Sequence, residues 1–472
     1  MMSFTGSALY ELTLSGAADL LTKREISAFE LTESILGRID EIQPRFQPFT
    51  AVFKDSALES ARQVDALEGD RPPLAGIPIA LKDLYDVAGE PTRGGSCSRE
   101  DHVAAVDAET TRRLRQAGAI IVGKTVTAEF AFGVTSPPTR CAWDPTRTPG
   151  GSSGGSGCAV ALDATIAALG TDTGCSIRLP AALNGIVGLK PTYGRVSRTG
   201  VIPLSWSCDH TGPLTKSVED AARLLGIMAG HDPADPGSAR ERVPDFTVDL
   251  DAGLDGLRIG VPTNYFFDGI QPGVGRAVRS AIDVLERDGT ELVEVEIPLM
   301  ELSAPIVTTF VLVEGAAVHR RAMRTKADLY GEQVRSLVEV GHLVSGADYI
   351  DALRARMLIR QSLRDSFESN NLDLIVTPTT PLTALPAGQD FYSHEGEPEQ
   401  PVLNHYARFA APFNLSGQPA LSVPCGFDEG GLPVGLQFVG RPFAESLVLQ
   451  AGKAYEDATE WHKLHPLLEV SS

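Results

Sequence analysis

Two glycine–serine segments constrain this chain more than any other feature. They are Gly150-Gly151-Ser152-Ser153-Gly154-Gly155-Ser156-Gly157 and Gly170-Thr171-Asp172-Thr173-Gly174-Cys175-Ser176-Ile177-Arg178. A Gly-Ser run taken alone reads as a flexible linker. Here the small apolar run Ala159–Leu162 and the strand-like run Ile166–Leu169 follow directly, so the first segment has to be a loop inside a core. A third piece lies upstream, where the apolar run of Gly76-Ile77-Pro78-Ile79-Ala80-Leu81 ends on Lys82 and Asp83. Hydroxyls, bare backbone N–H groups and one lysine beside apolar residues are what serine acyl transfer without a histidine requires.

The surrounding texture indicates the fold class. Between 74 and 215, short apolar runs (Ile77–Leu81, Ala119–Val122, Ile166–Leu169, Ile186–Leu189) alternate with Gly-rich turns and helical stretches. Buried strands between helices produce this pattern, which predicts an α/β core. Residues 17–40 and 54–68 carry apolar positions at helical spacing. Further on, the pattern predicts a helix over 216–230, a strand at Leu257–Val261, an amphipathic helix over Gly273–Asp288 and a strand at Leu292–Ile297. Residues 300–370 read as mostly helical, Leu372–Thr377 as a strand ending at Pro378, and 379–402 as a long loop. Strand character returns at Pro433–Arg441, followed by a helix near 444–458. At 472 residues the chain exceeds the usual single-core size. The expected division is N-terminal helices over 1–70 packed on one compact unit over 71–472. The mostly helical, substrate-shaping part of that unit lies at about 216–400, and the strands at 257, 372 and 433 rejoin its sheet. Neither an internal repeat nor a low-complexity tract is present.

Composition excludes several function classes. A net charge of −20 argues against nucleic-acid partners. Arg354, Arg356, Arg360 and Arg364 have helical spacing, but Asp351 and Asp365 flank them. No segment approaches the roughly 18 uninterrupted apolar residues of a membrane span, so no membrane partner is expected. Met1-Met2-Ser3-Phe4 lacks the basic start of a secretion signal, which predicts a cytoplasmic protein. The six cysteines form no CxxC pair, which fits reduced, structural thiols. His462 and His465 form an HxxH without a cysteine or acidic cluster, so no metal is expected.

The first Gly-Ser segment also holds two overlapping GxSxG matches, Gly150–Gly154 and Gly151–Gly155. A hydrolase nucleophile elbow would need a following acid and histidine, and nothing local marks His210 or His405 for that role. A phosphate loop would need GxxxxGK[ST], and no lysine follows.

Taken together, Gly76–Asp83, Pro149–Gly157, Gly170–Pro180 and Gly185–Thr192, with Asp209–Thr215 and Leu432–Pro442, resemble the amidase signature family of serine hydrolases. The likeness extends from about residue 10 to 466, with the motifs in the family's order and spacing. It implies an α/β fold with a large mixed central sheet flanked by helices on both sides. By position it makes Ser176 the nucleophile, Ser152 a bridging serine after a cis peptide bond, and Lys82 the general base. The backbone amides of Thr173, Gly174, Cys175 and Ser176 would form the oxyanion hole. No cofactor or metal is implied; the partner is a small amide-type substrate, and a homodimer is left open.

The residue types suit these roles. A serine hydroxyl is a poor nucleophile until a base takes its proton. Lysine can serve only when neutral, so its pKa must fall from about 10.4 toward 7–8, which burial after Ile77–Leu81 would supply. A hydroxyl at Ser152 can accept from one neighbour and donate to the other. Ser176 is expected to open a short helix, Ile177–Leu183; by itself it would be an ordinary N-cap. Asp172 and Arg178 are expected to pair across the nucleophile loop, and Ser153 to orient it. Phe130, Ala131, Phe132 and Gly133 are expected to line the acyl pocket, joined by Trp206 and residues from 300–320. Cys175 departs from the glycine usual in the family. Its amide survives, while its Cβ restricts φ and narrows the pocket, and a small buried residue is preferred to a thiol nucleophile.

These features predict a stand-alone amidase that hydrolyses an amide, anilide or hydrazide through a seryl acyl-enzyme. A rival is the glutaminase component of a tRNA-dependent amidotransferase. Its Phe-Asp-Gly-type glutamine segment is absent where Phe310–Ala316 stands. A non-catalytic binding protein of the same fold is disfavoured, because all three catalytic positions are filled.

Overall fold

The structure, a computed structural model, describes residues 8–394 and 398–466. The reading of Met1–Phe4, and residues 395–397 of the loop expected over 379–402, lie outside the described residues. Thirteen strands occur along the described chain. They are β1 (Phe49–Val52), β2 (Pro78–Lys82), β3 (Ile120–Thr125), β4 (Ala167–Asp172), β5 (Val187–Lys190), β6 (His210–Thr215) and β7 (Arg258–Pro262). Then follow β8 (Glu291–Val295), β9 (Leu374–Pro378), β10 (Phe391–Tyr392), β11 (Gln400–Pro401), β12 (Ala420–Phe427) and β13 (Pro433–Gly440). Eleven form one sheet in the order β1-β3-β2-β4-β6-β5-β12-β13-β9-β7-β8, and β10 pairs with β11 inside the loop expected over 379–402.

The sheet is mixed. β2 runs parallel to β3 and β4, and β7 parallel to β8 and β9, while the pairs between these groups are antiparallel. Strands β2, β3 and β4 are buried along their whole length, as parallel strands covered on both faces must be. That is why their sequences read as unbroken apolar runs. The strands near 257, 372 and 433 rejoin this sheet as β7, β9 and β13.

Several boundaries differ from expectation for local reasons. The helix expected over 17–40 is two helices, Leu14–Thr22 and Ala28–Phe46. A capping box starts the second: Ser27 Oγ accepts from the Glu30 N–H at 3.0 Å, and the Glu30 carboxylate accepts from the Ser27 N–H at 2.9 Å. The expected strands do not include β1, β6 or β12 of the main sheet. β6 lacks an apolar run, and β12 contains Pro424 and Gly426 at a register shift, where proline is tolerated. The first Gly-Ser segment is a loop only as far as Ser153, because Gly154–Ala161 forms a fully buried helix. Its glycines are there for close approach. A Cβ on Gly155 would lie 2.5 Å from the Val126 nitrogen and 2.6 Å from the Pro48 oxygen.

The stretch Met300–His319 has the length and mean hydropathy, 1.5, of a membrane-crossing helix. In this fold Ile306, Val307 and Phe310 are buried in a core cluster with Phe266, Ile359 and Phe413.

Gly155→Ala is expected to destabilise the protein by about 1–3 kcal/mol through backbone overlap. Gly37→Ala, on an exposed helix position with nothing within 4 Å, should be neutral or stabilising by up to about 1 kcal/mol. Urea unfolding midpoints of the two variants check both outcomes.

Candidate active site

Lys82 ends β2, beside β4, and its side chain is fully buried. Its Nζ lies 2.7 Å from Ser152 Oγ and donates to Thr171 Oγ1 at 2.8 Å. Both partners are neutral hydroxyls, so no adjacent carboxylate offsets the loss of water. Burial pulls the amine down to about 7, while the more distant Asp172 and Asp209 pull it back up. Ser152 follows a cis peptide bond, and its carbonyl accepts from the Ala128 N–H and from Ser136 Oγ, both at 3.1 Å. Ser153 joins the two glycine–serine segments, since its Oγ accepts from the Thr171 N–H and donates to the Thr171 carbonyl, both at 3.2 Å.

The second segment leaves β4 and turns into a helix at Arg178–Asn184, one residue later than expected. Ser176 is not its cap. Asp172 Oδ2 accepts from the Ile177 N–H at 3.1 Å and the Arg178 N–H at 3.4 Å. No hydrogen bond joins Ser152 to Ser176 among the described residues; the Ser152 hydroxyl meets Lys82 instead. The backbone N–H groups of Thr173, Gly174, Cys175 and Ser176 likewise have no acceptor among the described residues, and all four residues line one cavity. Four consecutive unanswered donors beside a hydroxyl can receive a developing negative charge.

The loop is held by Asp172 and Arg178, both wholly buried. Arg178 Nη2 and Nε donate to the Asp172 carboxylate at 2.9 and 3.0 Å, and Nη1 donates to Gln437 Oε1 at 2.7 Å. Asn414 Nδ2 adds a bond to Asp172 Oδ1 at 2.8 Å. Burial pushes the Asp172 carboxyl up, but the charge and hydrogen bonds of Arg178 outweigh it and hold the group well below the usual carboxylate range. Asp209 anchors the other flank. It accepts from Thr173 Oγ1 at 2.7 Å and from the Leu204 and Ser205 N–H groups at 2.9 and 3.0 Å, while burial raises its pKa.

Cys175 does not require glycine, because it is not among the residues with positive φ. Burial, with Asp172 adding to it, pushes its thiol up to about 12, so it stays protonated at neutral pH. It packs with Val134, Leu179 and Leu183 as a small apolar residue.

The cavity at Ser176 measures about 60 Å³. Ala131, Phe132, Gly133, Val134, Leu204, Val307, Val311 and Leu312 form much of its wall, and none of its lining side chains is charged. Two expected pocket residues lie elsewhere. Phe130 and Ala131 both have positive φ (50° and 63°), so the backbone turns there and the Phe130 ring leaves the site to pack 4.4 Å from His319. Trp206 is 54% exposed and lines a neighbouring cavity of about 170 Å³, with Arg198 stacked 4.9 Å from its ring.

Thr171, Asp209, Asn414 and Gln437 were not singled out from sequence as site residues. Thr171 and Asp209 fall inside the recognised motifs, whereas Asn414 is brought in from 242 residues beyond Asp172 with no local signal.

A protein-family model described as Amidase matches residues 30–449. An amidase of Pseudomonas putida is 44% identical over 465 residues, covering 98% of this chain and 99% of the relative. A glutamyl-tRNA(Gln) amidotransferase subunit of Chloroflexus aurantiacus is 41% identical over 493 residues, covering 98% and 99%. A solved amidase structure superposes with a TM-score of 0.84 at 34% identity, covering 95% of this chain and 99% of that one.

Arg178→Met would leave the Asp172 carboxylate buried without its counter-ion. The expected loss is about 3–5 kcal/mol, read as a lowered urea midpoint.

Proposed function

The chain belongs to the amidase family, and on that premise we propose how this amidase works: through an acyl-enzyme on Ser176, with Ser152 and Lys82 as the proton path. The four unanswered N–H groups of Thr173–Ser176, lining the same cavity as the Ser176 side chain, are the observation that carries this reading.

Near neutral pH a substantial fraction of Lys82 is uncharged. The 2.7 Å contact with Ser152 then reverses direction, with the Ser152 hydroxyl donating to Nζ. As substrate closes the gap between the serines, Ser176 Oγ attacks the amide carbonyl carbon and its proton passes through Ser152 to Lys82. The four amides receive the negative charge on the carbonyl oxygen. Lys82 returns the proton through Ser152 to the departing nitrogen, the C–N bond breaks, and an ester to Ser176 remains. Water, deprotonated along the same path, attacks that ester and releases the acid. Asp172, Arg178 and Ser153 hold the loop in shape and touch no reacting atom.

The apolar lining favours an uncharged acyl group, aromatic or aliphatic, carried on an amide, anilide or hydrazide. It also bears on the glutaminase alternative suggested by the amidotransferase relative. Inside this cavity the ammonium and carboxylate of glutamine would meet no charged side chain, at a high desolvation cost; the charged groups Arg198, Asp209 and Asp235 line the neighbouring cavity that shares Ala131, Thr173 and Leu204 with it. The reading includes action in the cytoplasm with no nucleic-acid partner, and size-exclusion chromatography distinguishes a monomer from a homodimer.

A fluorophosphonate should add one label to the wild type and none to Ser176→Ala, as read by intact mass. Ser176→Ala should lose on the order of 10⁴-fold or more in kcat, and Ser152→Ala about 10²–10⁴-fold. Labelling and turnover retained in Ser176→Ala would sink the assignment. Because neutral Lys82 is the active form, kcat/KM should rise with pH up to about 7 and level off above it. A flat profile between pH 5.5 and 8.5 would remove Lys82 as the base. In a panel of amides, anilides, hydrazides and glutamine, an uncharged substrate should be preferred; glutamine as the best substrate would reverse the choice.

A further inference from the structure

The Phe130–Phe132 turn has a second cavity on its far side. Phe132 faces the Ser176 cavity, whereas Phe130 forms a wall of a separate space of about 590 Å³. The two differ in chemistry. The Ser176 cavity has no charged lining, but Arg99, Arg321 and Lys326 border the second one, opposed by a single carboxylate, Asp86. In a chain with net charge −20 such a local excess of positive charge is unusual. Part of it is unspent: Arg321 is exposed, and Lys326 Nζ donates to the Ser98 carbonyl at 2.9 Å with two N–H groups left over.

His319 forms part of the wall behind these groups. It is 5% exposed, its Nδ1 lies 3.0 Å from the Tyr330 hydroxyl, and its Nε2 is buried without a partner. Burial, helped by the charge of Arg99, pushes the imidazole down to about 4, so it is neutral at physiological pH. Phe130, Ile202 and Val318 supply apolar wall beside these donors.

We propose that this cavity is a second ligand site, taking a small molecule with an oxyanion head, a carboxylate or a phosphate, and an apolar body. The head lies among Arg99, Arg321 and Lys326, and the body packs on Phe130. The site is independent of what Ser176 does.

Calorimetric titration of the full-length protein with benzoate and with inorganic phosphate tests this. At least one probe should bind at a single site. Arg321→Gln and Lys326→Gln, both at exposed positions, should each weaken it at least tenfold. Arg354→Gln, an equal charge change on a distant exposed residue, should leave it unchanged. Tighter benzoate binding identifies an organic carboxylate site, and tighter phosphate binding a phosphate site. Absence of binding by either probe, or equal affinity in wild type, Arg321→Gln and Lys326→Gln, overturns the proposal.

Discussion

The buried ion pair between Asp172 and Arg178 is the interaction on which the rest of the site depends. A carboxylate and a guanidinium removed from water persist only when their donors and acceptors are answered. Here the two groups answer each other, and Asn414, Gln437 and the Ala410 carbonyl complete the set. Asp172 also takes the first N–H groups of the Arg178–Asn184 helix, work that a serine at a helix start often does. Ser176 is thereby released from capping, and the four amides before the helix stay unclaimed. The partners come from β13 and from the Ala411–Ser416 helix, so the shape of the loop rests on the far end of the chain.

Burial acts on Asp172 and Lys82 alike, with opposite outcomes for their charge. Asp172 stays ionised because a guanidinium touches it. Lys82 loses much of its hold on the proton because only hydroxyls touch it. The sheet sets both environments, since β2 and β4 are adjacent parallel strands that carry the two residues at their C-terminal ends. The same economy of charge separates the two faces of the Phe130–Phe132 turn. An uncharged wall faces Ser176, and the positive groups gather on the other side.

Parts of this arrangement were legible in the residues. β2, β3 and β4 announced themselves as apolar runs because both their faces are covered. Lys82, Ser152 and Ser176 stood out because glycine-flanked hydroxyls and a lysine closing an apolar run are rare inside a core. Other parts were not. β12 was hidden by a proline that its bulge accommodates, and the Gly154–Ala161 helix by glycines that serve backbone approach. The direction of Phe130 depends on a left-handed turn that phenylalanine rarely adopts, and no spacing rule anticipates it.

The sequence by itself determined the α/β class, the choice of Lys82, Ser152 and Ser176 as the side chains proposed to react, and the absence of charge along the 130–134 segment. It could do so because these properties are local: apolar runs, a loop's composition, a lysine's neighbours along its own strand. Only the tertiary structure decided that Asp172, not Ser176, caps the helix, that Asn414 and Gln437 support the ion pair, that Cys175 sits where no glycine is needed, and that Phe130 turns away from the site. Each of those depends on groups that meet only when distant strands and helices pack, and burial, which sets every charge in the site, is a property of that packing.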